Sequence, residues 1–140
     1  MMTNTFRQKI TDHITQDPWA NHLGAKLEEV REGYGRFSLT VKPEFMNFHG
    51  MTHGGLVFSL GDIAFAAAAN SRGNVAVALD VTISFLKAGA AGDRLIAECT
   101  ELSQNGPIAL YDIIVKNGET GELVSKSQAT VYRKKQQFVE

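Results

Sequence analysis

The chain has 140 residues, a mass of 15.3 kDa and a formal net charge of −1, which predicts one domain over residues 1–140. A pI near 6.4 excludes the strongly basic surface typical of proteins that bind nucleic acid or anionic membranes. The single Cys99 excludes an internal disulfide, and no apolar run is long enough for a membrane-spanning helix. The polar start, MMTNTFRQKITDH, has no signal-peptide core, so we expect a cytoplasmic protein.

Helical character runs over residues 5–24. Apolar side chains recur every four positions from Phe6 to Ile14, which predicts one helix. Asp17 followed by proline is a favourable helix start, and Gly24 is a favourable stop. The sequence therefore predicts a helix, a break and a short second helix.

Residues 25–31 and 34–41 flank a Glu-Gly pair that favours a tight turn, so they are predicted to form a hairpin. Residues 44–53 lack periodicity and are predicted to be a loop.

The next segment, residues 54–70, is predicted to be a helix. Its sequence, GGLVFSLGDIAFAAAAN, is small and apolar on every face and includes four consecutive alanines, the best helix-forming residue. A helix of this kind is expected to be buried all round. Its single charge is Asp62.

The remaining chain is predicted to consist of strands. Residues 75–85 alternate apolar with small or polar side chains, which is the clearest strand signal in the sequence. Further strands are predicted at residues 94–103, 108–116 and 123–133, and the tail from Lys134 is expected to fray. Short turns favour antiparallel pairing. The expected fold is α+β, with an antiparallel five- to six-stranded sheet wrapped around one central hydrophobic helix.

Asp62 is the sharpest anomaly in the sequence. Burial of an unpaired carboxylate costs roughly several kcal/mol, so a lone aspartate in the most apolar helix points to a function. Burial would also raise its pKa, which suits a general base or nucleophile. The alternative is a structural carboxylate that neighbouring backbone or hydroxyl groups satisfy, for example Ser59.

Gly54 and Gly55 stand at the start of the same helix. The first N–H groups of a helix lack intrahelical acceptors, so they can stabilise a carbonyl oxygen that gains negative charge. The alternative is a simple glycine-rich helix entry. Gly54 lies eight positions before Asp62, which is about 12 Å along a helix. One carbonyl cannot contact both residues, so if both act, they act across a two-fold axis between two chains.

Asn47 and His53 are polar residues of the preceding loop. Asn47 is a candidate for holding a water molecule or the carboxylate, and the alternative is a turn residue. His53 is a candidate for orienting the loop or polarising a carbonyl, and the alternative is a hydrogen-bonded loop histidine. The spacing of His49, His53 and Asp62 matches no metal motif, so neither a metal nor another cofactor is expected.

Several residues from the strand region onward are weaker candidates for the site. Asp80 and Thr82 share the polar side of their strand, where they either line a site or face solvent. Candidate contacts for ligand phosphates are Lys87, Arg133 and Lys134, and the alternative is that they are simply solvated side chains. Cys99 lies inside an alternating strand and is expected to pack in the core.

Together these residues resemble a known family. The pattern Asn47-x5-His53-Gly54-Gly55-x3-Ser59-Leu60-x-Asp62, followed by an alanine-rich helix, resembles the hotdog-fold acyl-CoA thioesterases, and most of all their PaaI-type (phenylacetate-degradation) subfamily. The following strand and turn are similar too, with Thr82-Ile83-x-Phe85-Leu86-Lys87-x-Gly89-x2-Gly92-Asp93. The chain departs from the subfamily at Lys87-Ala88, where Arg-Pro is usual, and at Ala78-Leu79, where some relatives carry a serine.

The resemblance implies a hotdog fold and hydrolysis of a small aryl- or acyl-CoA thioester, with phenylacetyl-CoA or hydroxyphenylacetyl-CoA as first candidates. It implies that Asp62 is the nucleophile or general base and that the Gly54 N–H of the partner subunit is the oxyanion donor. It implies that Asn47 positions water or the carboxylate, with His53 beside the oxyanion site. The further candidate substrate contacts are Gly55, Ser59, Asp80, Thr82 and Lys87.

The resemblance also implies a homodimer as the minimal active unit, paired into a homotetramer. A non-catalytic acyl-CoA sensor or carrier on the same fold is the alternative function. Such a protein would need the pocket but not Asp62.

Overall fold

The computed structural model describes residues 3–140, and it begins with two helices. Helix α1 spans Asn4–Ile14 and helix α2 spans Pro18–Leu23. Asp17 caps α2 by accepting hydrogen bonds from two backbone N–H groups, and Gly24 ends α2 in the left-handed conformation with φ +79°. The predicted break and second helix are confirmed.

Six strands form one sheet in which every pairing is antiparallel. The strands are β1 (Lys26–Arg31), β2 (Tyr34–Thr40), β3 (Asn74–Phe85), β4 (Arg94–Asn105), β5 (Ile108–Asn117) and β6 (Leu123–Gln137), and helix α3 (Gly54–Ala69) connects β2 to β3. Their order across the sheet is β1-β2-β4-β5-β6-β3, so the crossover through α3 carries β3 to the edge opposite β1. The expected α+β fold with one central helix is confirmed. Within residues 3–140, no helix is long and apolar enough to cross a bilayer.

Helix α3 packs closely against the inner face of the sheet. A Cβ atom added to Gly35 of β2 would lie 2.8 Å from the carbonyl oxygen of Ala64, so the strand and helix backbones touch there. Gly61 faces Ile113 of β5 in a similar way, and the ring of Phe65 packs edge-on against Tyr111 at 5.5 Å. These contacts fix the position of α3 relative to the sheet.

One face of α3 is open, so the prediction of a helix buried all round is wrong for the single chain. The exposed residues of α3 are spaced three or four positions apart, which places them in one stripe. They are Gly55, Phe58, Asp62 and Ala66. The reason is geometric, because the sheet wraps only one side of the helix. The apolar sequence of α3 therefore leaves an uncovered stripe beside Asp62.

Strand β3 is interrupted by a bulge. Ala78 pairs with Val131 and Asp80 pairs with Thr130, so Leu79 is extra and the alternation of side chains shifts by one position. The predicted single alternation over this strand is wrong for that reason. Leu79 is 57% exposed, as expected for an apolar edge strand with no neighbour on its outer side.

The C-terminal tail is ordered, so the prediction that it frays from Lys134 is wrong. Strand β6 continues to Gln137, and the Phe138 N–H then donates a hydrogen bond to the Gly73 carbonyl at 3.0 Å. The ring of Phe138 stacks on His13 of α1 at 4.7 Å. The tail thereby closes one end of the molecule against α1.

Candidate active site

The loop before α3 is organised by Asn47. A β-bridge pairs Met46 with Thr52, and Asn47 Oδ1 accepts hydrogen bonds from the N–H groups of His49 and Met51 at 2.9 and 3.1 Å. Two donors at one atom assign that end of the amide as the oxygen. Within residues 3–140, the Asn47 Nδ2 group donates no hydrogen bond, so it is available to a ligand. Asn47 therefore has both the structural turn role and a free donor.

His53 caps helix α3. Its Nδ1 accepts a hydrogen bond from the Gly55 N–H at 2.9 Å, which assigns the ring proton of the neutral imidazole to Nε2. The N–H groups of Leu56 and Val57 donate to the His53 carbonyl. Among the described residues, nothing accepts from the Gly54 N–H. The first turn of α3 thus presents one unpaired donor at the residue predicted to be the oxyanion donor, whereas the Gly55 N–H is already used.

A groove of about 290 Å³ adjoins this helix start. It brings together Asn47, Gly54, Phe85 and Lys87. A Cβ atom on Gly54 would lie 3.4 Å from the Phe85 ring, so the ring lies beside the first residue of α3. The Lys87 ammonium forms a salt bridge with Glu122 and is half exposed. The groove therefore has an apolar wall, a free donor and a cation at its rim.

Asp62 lies on the open stripe of α3 and not in the interior, so its predicted burial is wrong for the single chain. Partial desolvation by surrounding atoms nevertheless raises the pKa of Asp62 above its ordinary value, and the nearby negative charge of Asp17 raises it further. Within residues 3–140, no donor hydrogen-bonds to the Asp62 carboxylate. Ser59, on the same side of the helix, does not hydrogen-bond to it. Asp62 is therefore an unpaired carboxylate with a raised pKa.

The candidate residues fall into separate groups in one chain. Helix α3 is continuous, so Gly54 and Asp62 are about 12 Å apart along its axis. Asp80 and Thr82 lie on the outer face of β3, because their neighbour Val81 is the one that packs against the core below α3. A single chain therefore does not bring these two residues to the groove or to Asp62.

Two residues near the candidate site were missed by sequence reasoning as members of it. The sequence pattern places Phe85 only in a strand, whereas its exposure at the strand end, which the structure shows, is typical of a binding surface. Asp17 was noted only as a helix cap, and its proximity to Asp62 depends on how α2 packs against α3. No local pattern reveals that proximity.

Other titratable groups of the interior have structural roles. Burial raises the pKa of the Cys99 thiol, which confirms a packing role and disfavours a thiolate nucleophile. The Glu101 carboxylate accepts hydrogen bonds from Arg72, Arg133 and the Tyr111 hydroxyl. Desolvation together with this carboxylate raises the pKa of Tyr111 to about 12. The cluster joins three strands to the segment that follows α3.

The sequence profile of the thioesterase superfamily matches residues 49–124, which include Gly54, Asp62 and Lys87. The chain belongs to this superfamily. As a thioesterase, it is a hydrolase that acts on thioester bonds. The predicted resemblance is thereby confirmed at the level of the family, and the six-stranded sheet around α3 is its hotdog fold.

Several relatives refine this placement. The thioesterase is 40% identical over 115 residues to the acyl-coenzyme A thioesterase PaaI of Escherichia coli, an alignment that covers 82% of this chain and 76% of that protein. The structure of E. coli PaaI superposes with a TM-score of 0.88 at 35% identity and covers 93% of this chain and 94% of that one. A Streptococcus pneumoniae thioesterase solved with coenzyme A has a TM-score of 0.82, 26% identity and coverage of 91% and 98%. A Streptococcus mutans protein bound to acetyl-CoA has a TM-score of 0.75, 25% identity and coverage of 79% and 88%.

Proposed function

We propose that this thioesterase hydrolyses acyl-CoA thioesters to a free acid and coenzyme A. The observation that carries the proposal is the unpaired Gly54 N–H at the start of α3, in a groove that also holds the apolar ring of Phe85 and the ammonium of Lys87. Such a donor stabilises charge on a thioester oxygen and supplies about 3 to 4 kcal/mol of transition-state stabilisation. The relatives named as acyl-CoA thioesterases, or solved with coenzyme A or acetyl-CoA, support this ligand class.

The active unit in this proposal is a homodimer. Gly54 of one chain and Asp62 of the other act on the same carbonyl, because about 12 Å of helix separates the two residues within one chain. The open stripe of α3 and the exposed apolar edge of β3 are the surfaces that a second chain would cover. Each dimer then has two equal sites, and pairing of dimers gives the proposed homotetramer.

Asp62 carries the chemistry in one of two ways. Its carboxylate attacks the carbonyl carbon to form an anhydride and expel the CoA thiolate, and water then hydrolyses the anhydride. Alternatively, it takes a proton from a water molecule that attacks the carbonyl. In both routes the products are a carboxylic acid and the CoA thiol. The Asn47 Nδ2 group holds the carboxylate or the thioester by donating a hydrogen bond, and the His53 ring keeps the helix start in place.

The proposed substrates are small aryl- or acyl-CoA esters, with phenylacetyl-CoA and hydroxyphenylacetyl-CoA first. This choice rests on similarity to PaaI, whose structure is described as that of a protein of the phenylacetic acid degradation operon. A cytoplasmic location and a role in phenylacetate degradation accompany it as proposals. Lys87 contacts the CoA phosphates after release from Glu122.

The test is release of free thiol from a panel of aryl- and fatty-acyl-CoAs, compared between the native chain and Asp62→Asn. The proposal expects thiol release by the native chain and a loss of turnover of at least about a thousandfold in the variant, with acyl-CoA binding retained. Unchanged turnover in the variant would refute the role of Asp62. If the native chain binds acyl-CoA but releases no thiol from any ester, a non-catalytic acyl-CoA sensor is the better description.

A further inference from the structure

We infer that the acyl group of the substrate enters a second cavity, between α3 and the connection from α1 to α2, and that this connection selects neutral, apolar acyl groups. The inference rests on the proposed acyl-CoA hydrolysis and deepens it. The cavity has a volume of about 450 Å³, within the range of roughly 300 to 1,000 Å³ that is usual for small-molecule sites. That volume accommodates an aromatic ring with its methylene link.

The position of the cavity ties it to Asp62. One side of the cavity is formed by α3 through Ile63, Ala66 and Ala67, and Phe37 of β2 also lines it. Ala66 stands one helical turn after Asp62 on the same open stripe, so the cavity begins about one turn along α3 from the carboxylate and lies away from Gly54. The surface contributed by these residues is apolar.

The far wall is formed by the termini of the chain. Ile14 and Pro18 contribute apolar surface from the helical connection, and Phe138 of the tail closes the cavity, held there by its stacking on His13. The α1–α2 connection precedes residues 49–124, the part that matches the superfamily profile. This wall is therefore built from a segment that the shared pattern does not specify, which suits a role in selectivity.

One acidic residue is among the polar residues that line the cavity, which are His13, Gln16, Asp17 and Asn70. Asp17 lines the cavity, and its charge lies close enough to Asp62 to raise the pKa of that residue. Asp17 is fixed in this position because its carboxylate caps α2 through the N–H groups of Trp19 and Ala20. An acyl group with a second carboxylate would meet two like charges there, whereas a neutral ring would meet none.

The groove and the cavity then form the two halves of one site. In the proposed dimer, the thioester carbonyl lies between Gly54 of one chain and Asp62 of the other. The acyl group extends into the cavity beside Asp62, and the pantetheine arm leaves along the groove beside Gly54 towards Lys87. One substrate thus contacts the cavity of one chain and the groove of its partner.

The test measures kcat/KM for acetyl-CoA, phenylacetyl-CoA and succinyl-CoA. Ala66→Phe fills the cavity and should lower the ratio of phenylacetyl-CoA to acetyl-CoA at least about tenfold, whereas Ala91→Phe in the exposed turn after β3 should leave that ratio unchanged. Asp17→Asn keeps a capping side chain and should raise the ratio of succinyl-CoA to phenylacetyl-CoA several-fold. Because Ala66→Phe lies on the face proposed to meet the partner, its oligomeric state is compared with the native chain by light scattering.

Phe138→Ala provides an independent variant that enlarges the cavity away from that face. It should raise kcat/KM for longer aryl esters such as 4-phenylbutyryl-CoA relative to acetyl-CoA. Unchanged selectivity ratios in Asp17→Asn and Phe138→Ala, with thiol release intact in the native chain, would overturn the inference and leave the proposed function standing. Absence of thiol release from every ester by the native chain would instead overturn the proposed function and the inference together.

Discussion

The Gly54 N–H offers the sharpest single-atom perturbation of the site. Gly54→Pro removes this N–H and no other, and proline is well tolerated at the first residue of a helix. The preceding His53 already has φ −62° and ψ 134°, the extended conformation that proline requires of its predecessor. The hydrogen bond from the Gly55 N–H to His53 Nδ1 is retained, so the helix cap survives.

The expected loss follows from the number of donors involved. The N–H groups of Gly55, Leu56 and Val57 are all engaged within the chain, so Gly54 supplies the one free backbone donor of this helical turn among the described residues. Removal of one oxyanion donor costs about 2.7 to 4 kcal/mol, which is a fall in kcat of about 10² to 10³. Gly54→Ala is the matched control. It keeps the N–H and adds a Cβ at 3.4 Å from the Phe85 ring, an ordinary contact, so its kcat should stay within about tenfold of native.

The assay is steady-state thiol release from phenylacetyl-CoA, with thermal unfolding of each variant as a check on folding. If the Gly54 N–H is the oxyanion donor, Gly54→Pro loses kcat while its melting temperature stays near that of Gly54→Ala. Equal kcat values for the two variants would refute the assignment of the Gly54 N–H as the oxyanion donor. If both values were equally far below the native kcat, the added bulk at this position, and not the missing donor, would explain the loss.

Two further predictions concern Asp62 and the packing of α3. Partial desolvation and the charge of Asp17 raise the pKa of Asp62 in the folded state, so its ionisation lowers stability as pH rises from the unfolded pKa of about 4 through the raised pKa. Asp62→Asn should therefore raise the melting temperature at pH 7 and not at pH 3, and native kcat/KM should rise with pH through the raised pKa. A melting temperature unaffected at pH 7 contradicts this. Gly35→Ala places a Cβ 2.8 Å from the Ala64 carbonyl oxygen and should cost about 1 to 3 kcal/mol, or about 3 to 10 °C for a chain of this length. Gly61→Ala meets methyl groups of Ile113 at 3.2 Å and Val115 at 3.6 Å and gains helix propensity, so it should change stability by less than about 1 kcal/mol. Equal melting temperatures for Gly35→Ala and Gly61→Ala at fixed protein concentration would contradict the comparison.

Local signals were enough to predict the helices and to single out the candidate residues of α3. Caps and stop residues are short-range features, so the break before Asp17 and the start of α3 at Gly54 follow from the sequence. The isolated charge of Asp62 in an apolar helix is also visible without a structure. Its exposure is not, because burial depends on which faces the sheet covers, and the open stripe of α3 is a property of the folded chain.

Long-range pairing explains the remaining differences. The bulge at Leu79 is set by the register between β3 and β6, and period-2 patterning alone does not reveal an inserted residue. The ordered tail depends on pairing of β6 with Asn74 and on stacking of Phe138 against His13. The cavity beside Asp62 likewise joins segments from both ends of the chain, so no local window contains its pattern.

In the proposed dimer each site combines Gly54 of one chain with Asp62 of another, so mixing of two inactive variants should restore activity. Gly54→Pro and Asp62→Asn chains, each inactive alone, are unfolded together and refolded at equal concentration. Half of the dimers are then mixed, and each mixed dimer holds one intact site and one with both defects. Recovery of about a quarter of native kcat per chain is expected in the thiol-release assay. No recovery, despite mixed dimers demonstrated by mass spectrometry, would show that the two residues do not act across the interface.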